Sequence, residues 1–201
     1  MPETINPELI LETNRALLRP IEENDLVAFL QLAQDEEAWK YFTLNLADKT
    51  HLQKWMNMAA HDRQAGTRRP FTIIDKATGR IAGSSSMGNI SYPDLRLEIG
   101  WSWLGKDSRG SGLNFHCKYA MMRYAFEELN FERVEFKTDL LNERAKQGLR
   151  KIGGKEEGVL RSHMTMWNNR RRDSIYFSVV KNEWAGLKKN IFKGIEGYAF
   201  H

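Results

Sequence analysis

A single cysteine, Cys117, stands among 201 residues. No internal disulfide can form, and a reducing compartment is expected. Proline is scarce, and no Pro/Ser-rich linker, repeat or low-complexity tract divides the chain. No run approaches the roughly 18 apolar residues needed to cross a bilayer. The opening Met1-Pro-Glu-Thr-Ile-Asn-Pro-Glu8 is acidic and lacks the apolar core of a signal peptide. These absences predict a cytoplasmic, membrane-free protein.

Charge of either sign is also in short supply as a surplus. The net charge of +4 suits an acidic ligand such as a phosphorylated cofactor and is too small to argue for nucleic acid. Arg170-Arg-Arg172 is a short cluster without interleaved stacking aromatics, and reads as a solvated hairpin tip. His116-Cys117 has no second pair at ligand spacing, so no metal is expected, and Cys117 falls on an apolar helix face.

What the chain does have is an ordered run of strands and helices. Ala16–Pro20 reads as a strand, followed by a helix capped by Asn24 and a second helix over about 50–64 that stops at Gly66. Phe71–Asp75 and Arg80–Met87 read as a hairpin, and 96–104 as a further strand. Leu113, Cys117, Ala120, Met121 and Tyr124 mark one face of a helix ending near Asn130. A strand at 133–138, a helix at 143–152, strands near 157–164 and 173–181, and a last helix over about 182–192 complete a mixed α/β sheet.

The most informative stretch runs from Glu98 to Asn114. It joins an apolar strand to a helix through Asp107-Ser-Arg-Gly-Ser-Gly112. Gly110 and Gly112 flank Ser111 just before the helix, where backbone N–H groups and the positive helix end make a pocket for phosphate. No Gly-Lys-Ser/Thr follows, which excludes a Walker-type loop.

This loop resembles the acyl-CoA signature of the GCN5-related N-acetyltransferase superfamily, Gln/Arg-x-x-Gly-x-Gly/Ala, with Asp107 in place of its first residue. Leu97-Glu-Ile-Gly-Trp101, Tyr124-Ala-Phe-Glu127 with Arg133-Val, Asn142-Glu-Arg, Gly158-Val-Leu-Arg161, and Arg172-Asp173 with Glu183-Trp184 resemble successive segments of its ribosomal-protein N-terminal branch. The resemblance implies one acetyltransferase domain over residues 1–201, with its core at about 14–184 and a C-terminal helix and tail at 182–201. It implies a mostly antiparallel sheet of about seven strands, flanked by helices and splayed near the family's fourth and fifth strands. Acetyl-CoA would be the donor and no metal would take part. The acceptor would be a primary amine, on a protein or peptide N-terminus or on a small molecule. A catalytically silent acyl-CoA-binding module on the same fold is the alternative.

Acetyl transfer needs a base for the amine proton, and Glu98, on the strand beside the acyl site, would accept it directly or through water, or else pairs with Arg96 or another cation on the sheet. The resemblance implies the remaining roles. The backbone of Trp101, Ser102 and Trp103 faces the acetyl carbonyl, with their side chains as core or acceptor-pocket walls. Ser108, Arg109, Gly110, Ser111, Gly112 and Leu113 cradle the pyrophosphate, Arg109 being otherwise a surface charge. Asn142 meets the pantetheine arm, caps the following helix, or does both, and Asn114 is a further ligand candidate. The family's usual thiolate-protonating tyrosine is replaced by Leu149, and the branch's serine by Ala145. The aromatics Trp39, Tyr41 and Phe42 would wall an acceptor groove or pack the helices on the sheet. His163 reads as a pocket or surface residue. A C-terminal helix carrying Trp184, Leu187, Ile191 and Phe192 could pair two subunits.

Overall fold

The computed structural model describes residues 4–198 and 200; Met1–Glu3, the start of the stretch read for a leader, lie outside them, as do Ala199 and His201. Among the described residues, eight strands form one sheet in the order β1-β2-β3-β4-β5-β6-β8-β7. They are β1 (Leu11–Glu12), β2 (Ala16–Pro20), β3 (Arg68–Asp75), β4 (Arg80–Ser91), β5 (Arg96–Leu104), β6 (Arg133–Asp139), β7 (Lys155–Thr165) and β8 (Arg171–Val180). The count exceeds the expected seven because Leu11 and Glu12 pair with Leu18 and Leu17, too short a strand to show a period. Between them lie α1 (Asp25–Leu32), α2 (Lys49–Gln64), α3 (Leu113–Arg123) and α4 (Glu143–Lys151), and α5 (Lys181–Asn190) follows β8. Among the described residues no helix is long and apolar enough to cross a membrane.

The two faces of the sheet divide the core in two, and the bulge in β5 between Gly100 and Trp103 turns Trp103 away from the side of Leu97 and Ile99. Leu97, Ile99, Val134, Phe136, Phe177 and Val179 are buried together with Leu113, Cys117 and Met121 of α3. On the opposite face Trp103 is buried with Phe29 of α1, Leu52 and Trp55 of α2, and Trp39 between those helices. The Trp103 ring meets Phe29, Trp39 and Trp55 edge-on at 5.2, 5.3 and 6.3 Å. Such edge contacts add about 0.5–1.5 kcal/mol each beyond area burial.

Asn24 occupies the N-cap position of α1 but has helical φ and ψ, and its side chain makes no capping bond. The neighbouring Asp25 does the anchoring. Its buried carboxylate accepts from Arg19 at 2.6 and 2.9 Å, from Thr72 at 2.6 Å and from the Glu22 N–H at 2.9 Å. Burial pushes this carboxyl up, yet those donors hold it below its ordinary value. The stability it contributes is present above the unfolded value near 4 and lost as pH falls through the folded one.

The face of α5 expected to pair subunits is spent inside the chain. Trp184 and Phe192 are buried against Tyr119 and Phe126, and the Trp184 indole donates to Glu127 at 2.7 Å. Leu187 and Ile191 pack on the same cluster. The exposed apolar stripe that the sequence suggested is therefore absent.

Candidate active site

β5 is the sheet's turning point. It runs antiparallel to β4 and parallel to β6, and its pairing with β6 covers only Arg96–Arg133, Leu97–Val134 and Glu98–Glu135. Beyond Glu98 the strands part. On its other edge, β5 spends Gly100 to Trp103 against Ser86 to Ser84, a bulge centred on Trp101 and Ser102. Trp101 has φ +51, a conformation costly for a bulky residue, and its ring lies across Gly88. The gap and bulge together give the splay that the resemblance implied between the family's fourth and fifth strands, here β5 and β6.

Glu98 lies at the apex of the split and is only 2% exposed. Its Oε2 accepts from Lys137 Nζ at 2.9 Å and from Asn89 Nδ2 at 2.8 Å. The cation of the ion-pair alternative is thus Lys137 of β6 and not Arg96, which lies beside Asp94 and Glu135. Asn89 reaches the carboxylate because an irregularity in β4 gives it φ +48, a conformation asparagine tolerates well. Lys137 and Arg68 lie 5.8 and 5.1 Å from the Trp101 ring. On the same face, Tyr176 is 6.0 Å from both Lys137 and His163, and His163 Nδ1 is 3.0 Å from Ser174 Oγ. Burial, then the charges of Lys137 and Arg172, lower the His163 imidazole below its usual range.

The arginine cluster is no solvated tip. Arg172 is buried; its Nη1 donates to the Tyr41 carbonyl at 3.4 Å, and its Nε has no partner among the described residues. Arg170 pairs with Asp139, and Arg171 binds Ser162 and Thr165. The Trp167 indole donates to the Trp39 carbonyl at 3.1 Å. The β7–β8 hairpin therefore closes onto the segment between α1 and α2, and that contact walls the polar face around Glu98. Trp39 itself is core, while Tyr41 belongs to the wall through its backbone.

The glycine loop has the expected form. Gly110 and Gly112 have φ +77 and +87, and no atom lies within 4 Å of where their Cβ would be. Ser111 Oγ bridges the Ser108 carbonyl and the Leu113 N–H. The N–H groups of Gly110, Ser111 and Gly112 have no acceptor among the described residues. This open cradle at a helix N-terminus fits a pyrophosphate. The Arg109 side chain, expected at a phosphate, is engaged by partners within the protein. Its Nη1 bonds Asp35 at 2.6 Å, its Nε bonds the Leu104 carbonyl at 2.9 Å, and it holds the Asp35 carboxyl below the usual range. Arg15, which the sequence did not single out, comes within 3.5 Å of the Ser111 carbonyl. Asn114 is exposed.

Asn142 caps α4 by accepting at Oδ1 from the Ala145 N–H at 3.0 Å, and its Nδ2 has no partner among the described residues. Leu149 packs on the core. The Cys117 thiol is buried and pushed up to about 12, which fits a core residue.

Lys118 also went unread in the sequence. It is 5% exposed, and its Nζ donates to Ser102 Oγ at 2.7 Å; that hydroxyl lies 2.7 Å from Ser85 Oγ. The same ammonium lies 5.6 Å from the Phe136 ring. It thus stands between β5 and β6 just past their last paired residues. Its one visible signal was a lysine inside the apolar run from Cys117 to Met122.

A sheet split beside a glycine-loop helix, with a buried carboxylate at the apex, is the architecture of an acyl-transfer enzyme. The chain belongs to the acetyltransferase (GNAT) domain family, whose model matches residues 15–155. It is accordingly an N-acetyltransferase, and the family draws its acetyl group from acetyl-CoA. The "Putative ribosomal N-acetyltransferase YdaF" of Bacillus subtilis (strain 168) is 28% identical over 174 residues, covering 79% of this chain and 94% of that protein. A GCN5-related N-acetyltransferase from Brucella melitensis shares the fold at a TM-score of 0.84 and 22% identity, covering 93% of this chain and 85% of that one. Mycobacterium smegmatis RimJ, solved in complex with CoA-disulfide, superposes with a TM-score of 0.78 at 18% identity, covering 94% of this chain and 97% of that one.

Proposed function

We propose that this chain, as one domain acting in the cytoplasm, moves an acetyl group from acetyl-CoA directly to a primary amine held on the polar face around Glu98. That amine belongs to a protein or peptide N-terminus or to a small molecule. The observation carrying the reading is the parting of β5 and β6 immediately beyond Glu98, together with the open glycine cradle at the start of α3.

Acetyl-CoA supplies an acetyl group activated as a thioester. Ser108 to Asn114 hold its pyrophosphate, through backbone N–H groups at Gly110, Ser111 and Gly112 rather than through the Arg109 guanidinium. The free amide of Asn142 holds the pantetheine arm. The bulged backbone of Trp101 to Trp103 orients the acetyl carbonyl and offers donors where negative charge gathers on its oxygen. Glu98 accepts the proton that the amine must lose, directly or through water. Lys137 and Asn89 fix its carboxylate in place, and the wall made by Arg172, Trp167 and the α1–α2 segment shields the face from solvent.

Release of free thiol from acetyl-CoA, followed across a panel of peptide N-termini, polyamines and amino sugars, tests this. Thiol release that depends on one amine class is the expected result. CoA binding without release from any amine would overturn the enzymatic reading and favour a silent acyl-CoA-binding module.

A further inference from the structure

We propose that Lys118 meets the thioester sulfur and takes the place of the hydroxyl missing at Leu149 and Ala145, stabilising and protonating the departing thiolate. The inference rests on the acetyl-CoA reading above and adds the residue that completes its proton balance.

Three observations carry it. First, position: Nζ lies between Ser102 of β5 and Phe136 of β6, at the mouth of the split. Second, isolation: a charged side chain 5% exposed has, among the described residues, no carboxylate within ion-pair distance, and its Nζ donates to a hydroxyl and lies over a ring face. Buried ammonium groups are normally paired, because desolvation without a partner is costly. Third, the local polar chain of Lys118, Ser102 and Ser85 ends at the bulge itself, so the ammonium is coupled to the backbone that receives the carbonyl.

The groups acting on Lys118 are few. Glu98 of β5 attracts the proton from a distance and is itself paired with Lys137 of β6; the Cys117 thiol lies on the same helix, and β4 contributes the Ser85 hydroxyl. Burial dominates and lowers the ammonium to about 8, close to the range of an ordinary thiol. A proton donor so matched is efficient near neutral pH.

The step balances. The amine nitrogen bonds the acetyl carbon as the carbon–sulfur bond breaks, and that bond's electron pair stays on sulfur. Lys118 gives its proton to the sulfur and becomes neutral. Glu98 takes the proton lost by the amine and passes it to solvent, from which Lys118 is recharged.

The test needs no acceptor. The full-length protein is titrated with CoA and with desulfo-CoA, and the thiolate absorbance of bound CoA is followed against pH beside free CoA. In the wild type, bound CoA should carry about tenfold more thiolate near neutrality, a shift of one pKa unit. Lys118→Met and Lys118→Gln should abolish the shift while binding desulfo-CoA as the wild type does. An unshifted thiol in the wild type, or an equal shift in a folded variant, overturns the proposal and leaves the acetyl-CoA reading standing. Weakening of CoA and desulfo-CoA alike, with the thiolate unchanged, also overturns it, since Lys118 would then hold only the arm. Failure of the wild type to bind CoA overturns both.

Discussion

A Glu98→Gln enzyme should turn over at least about a hundredfold more slowly, the usual contribution of a positioned general base, with its affinity for acetyl-CoA unchanged. The carboxylate is buried, fixed by two donors, and placed where the strands part. The same change strands Lys137, whose side chain is 16% exposed. Breaking a buried pair from one side costs about 3–5 kcal/mol, so lost activity alone is ambiguous. The double variant Glu98→Gln, Lys137→Met separates the roles. Melting temperature should recover while turnover does not. A double variant that regains both would assign Glu98 to the ion pair, as would Glu98→Gln turning over within a few-fold of the wild type.

The second large effect belongs to Gly83. This residue of β4 has φ +152 and lies against β5 so closely that a Cβ would overlap the Trp103 carbonyl oxygen and come within 2.9 Å of Leu104 Cα. Both obstacles are backbone, so no side chain can swing aside. Gly83→Ala must push the end of β5 outward, and with it the Trp103 ring that Phe29, Trp39 and Trp55 enclose. We expect a loss on the order of 3 kcal/mol or more, combining backbone strain with a disrupted aromatic cluster. Urea unfolding and near-ultraviolet circular dichroism would register it. Gly79→Ala, at φ +68 with open space around it, is the control and should cost only about 1 kcal/mol. Equal midpoints for the two variants would refute the account.

The sequence revealed elements better than partners. Periodicity and glycine stops placed β5 at 96–104 and α2 within a residue of its observed start, and the cradle was visible because Gly110 and Gly112 sit beside a helix start. Contacts that cross the sheet were hidden. Arg109 could be read as a phosphate ligand because its partner Asp35 lies 74 residues away. Lys137 and Asn89 became visible beside Glu98 only through strand register and an irregular asparagine. The arginine triplet looked solvated because nothing local shows that the hairpin folds back on Tyr41. The turn of π-helix over Tyr124–Glu128 keeps the apolar spacing of an ordinary helix and left no separate mark.

Lys118 has a consequence for durability. A folded ammonium lowered to about 8, against an unfolded value near 10.4, binds its proton more weakly in the native state. The penalty is therefore fully present below pH 8 and fades as pH climbs toward 10. At neutral pH it amounts to as much as about 3 kcal/mol, at 1.36 kcal/mol per unit. Lys118→Met should thus melt higher than the wild type, by roughly 2–4 °C for each kcal/mol recovered, and the advantage should shrink in alkaline buffer. A melting temperature equal to or below the wild type's at neutral pH would contradict this. Selection for heat resistance alone would discard the lysine, whereas selection for turnover would retain it.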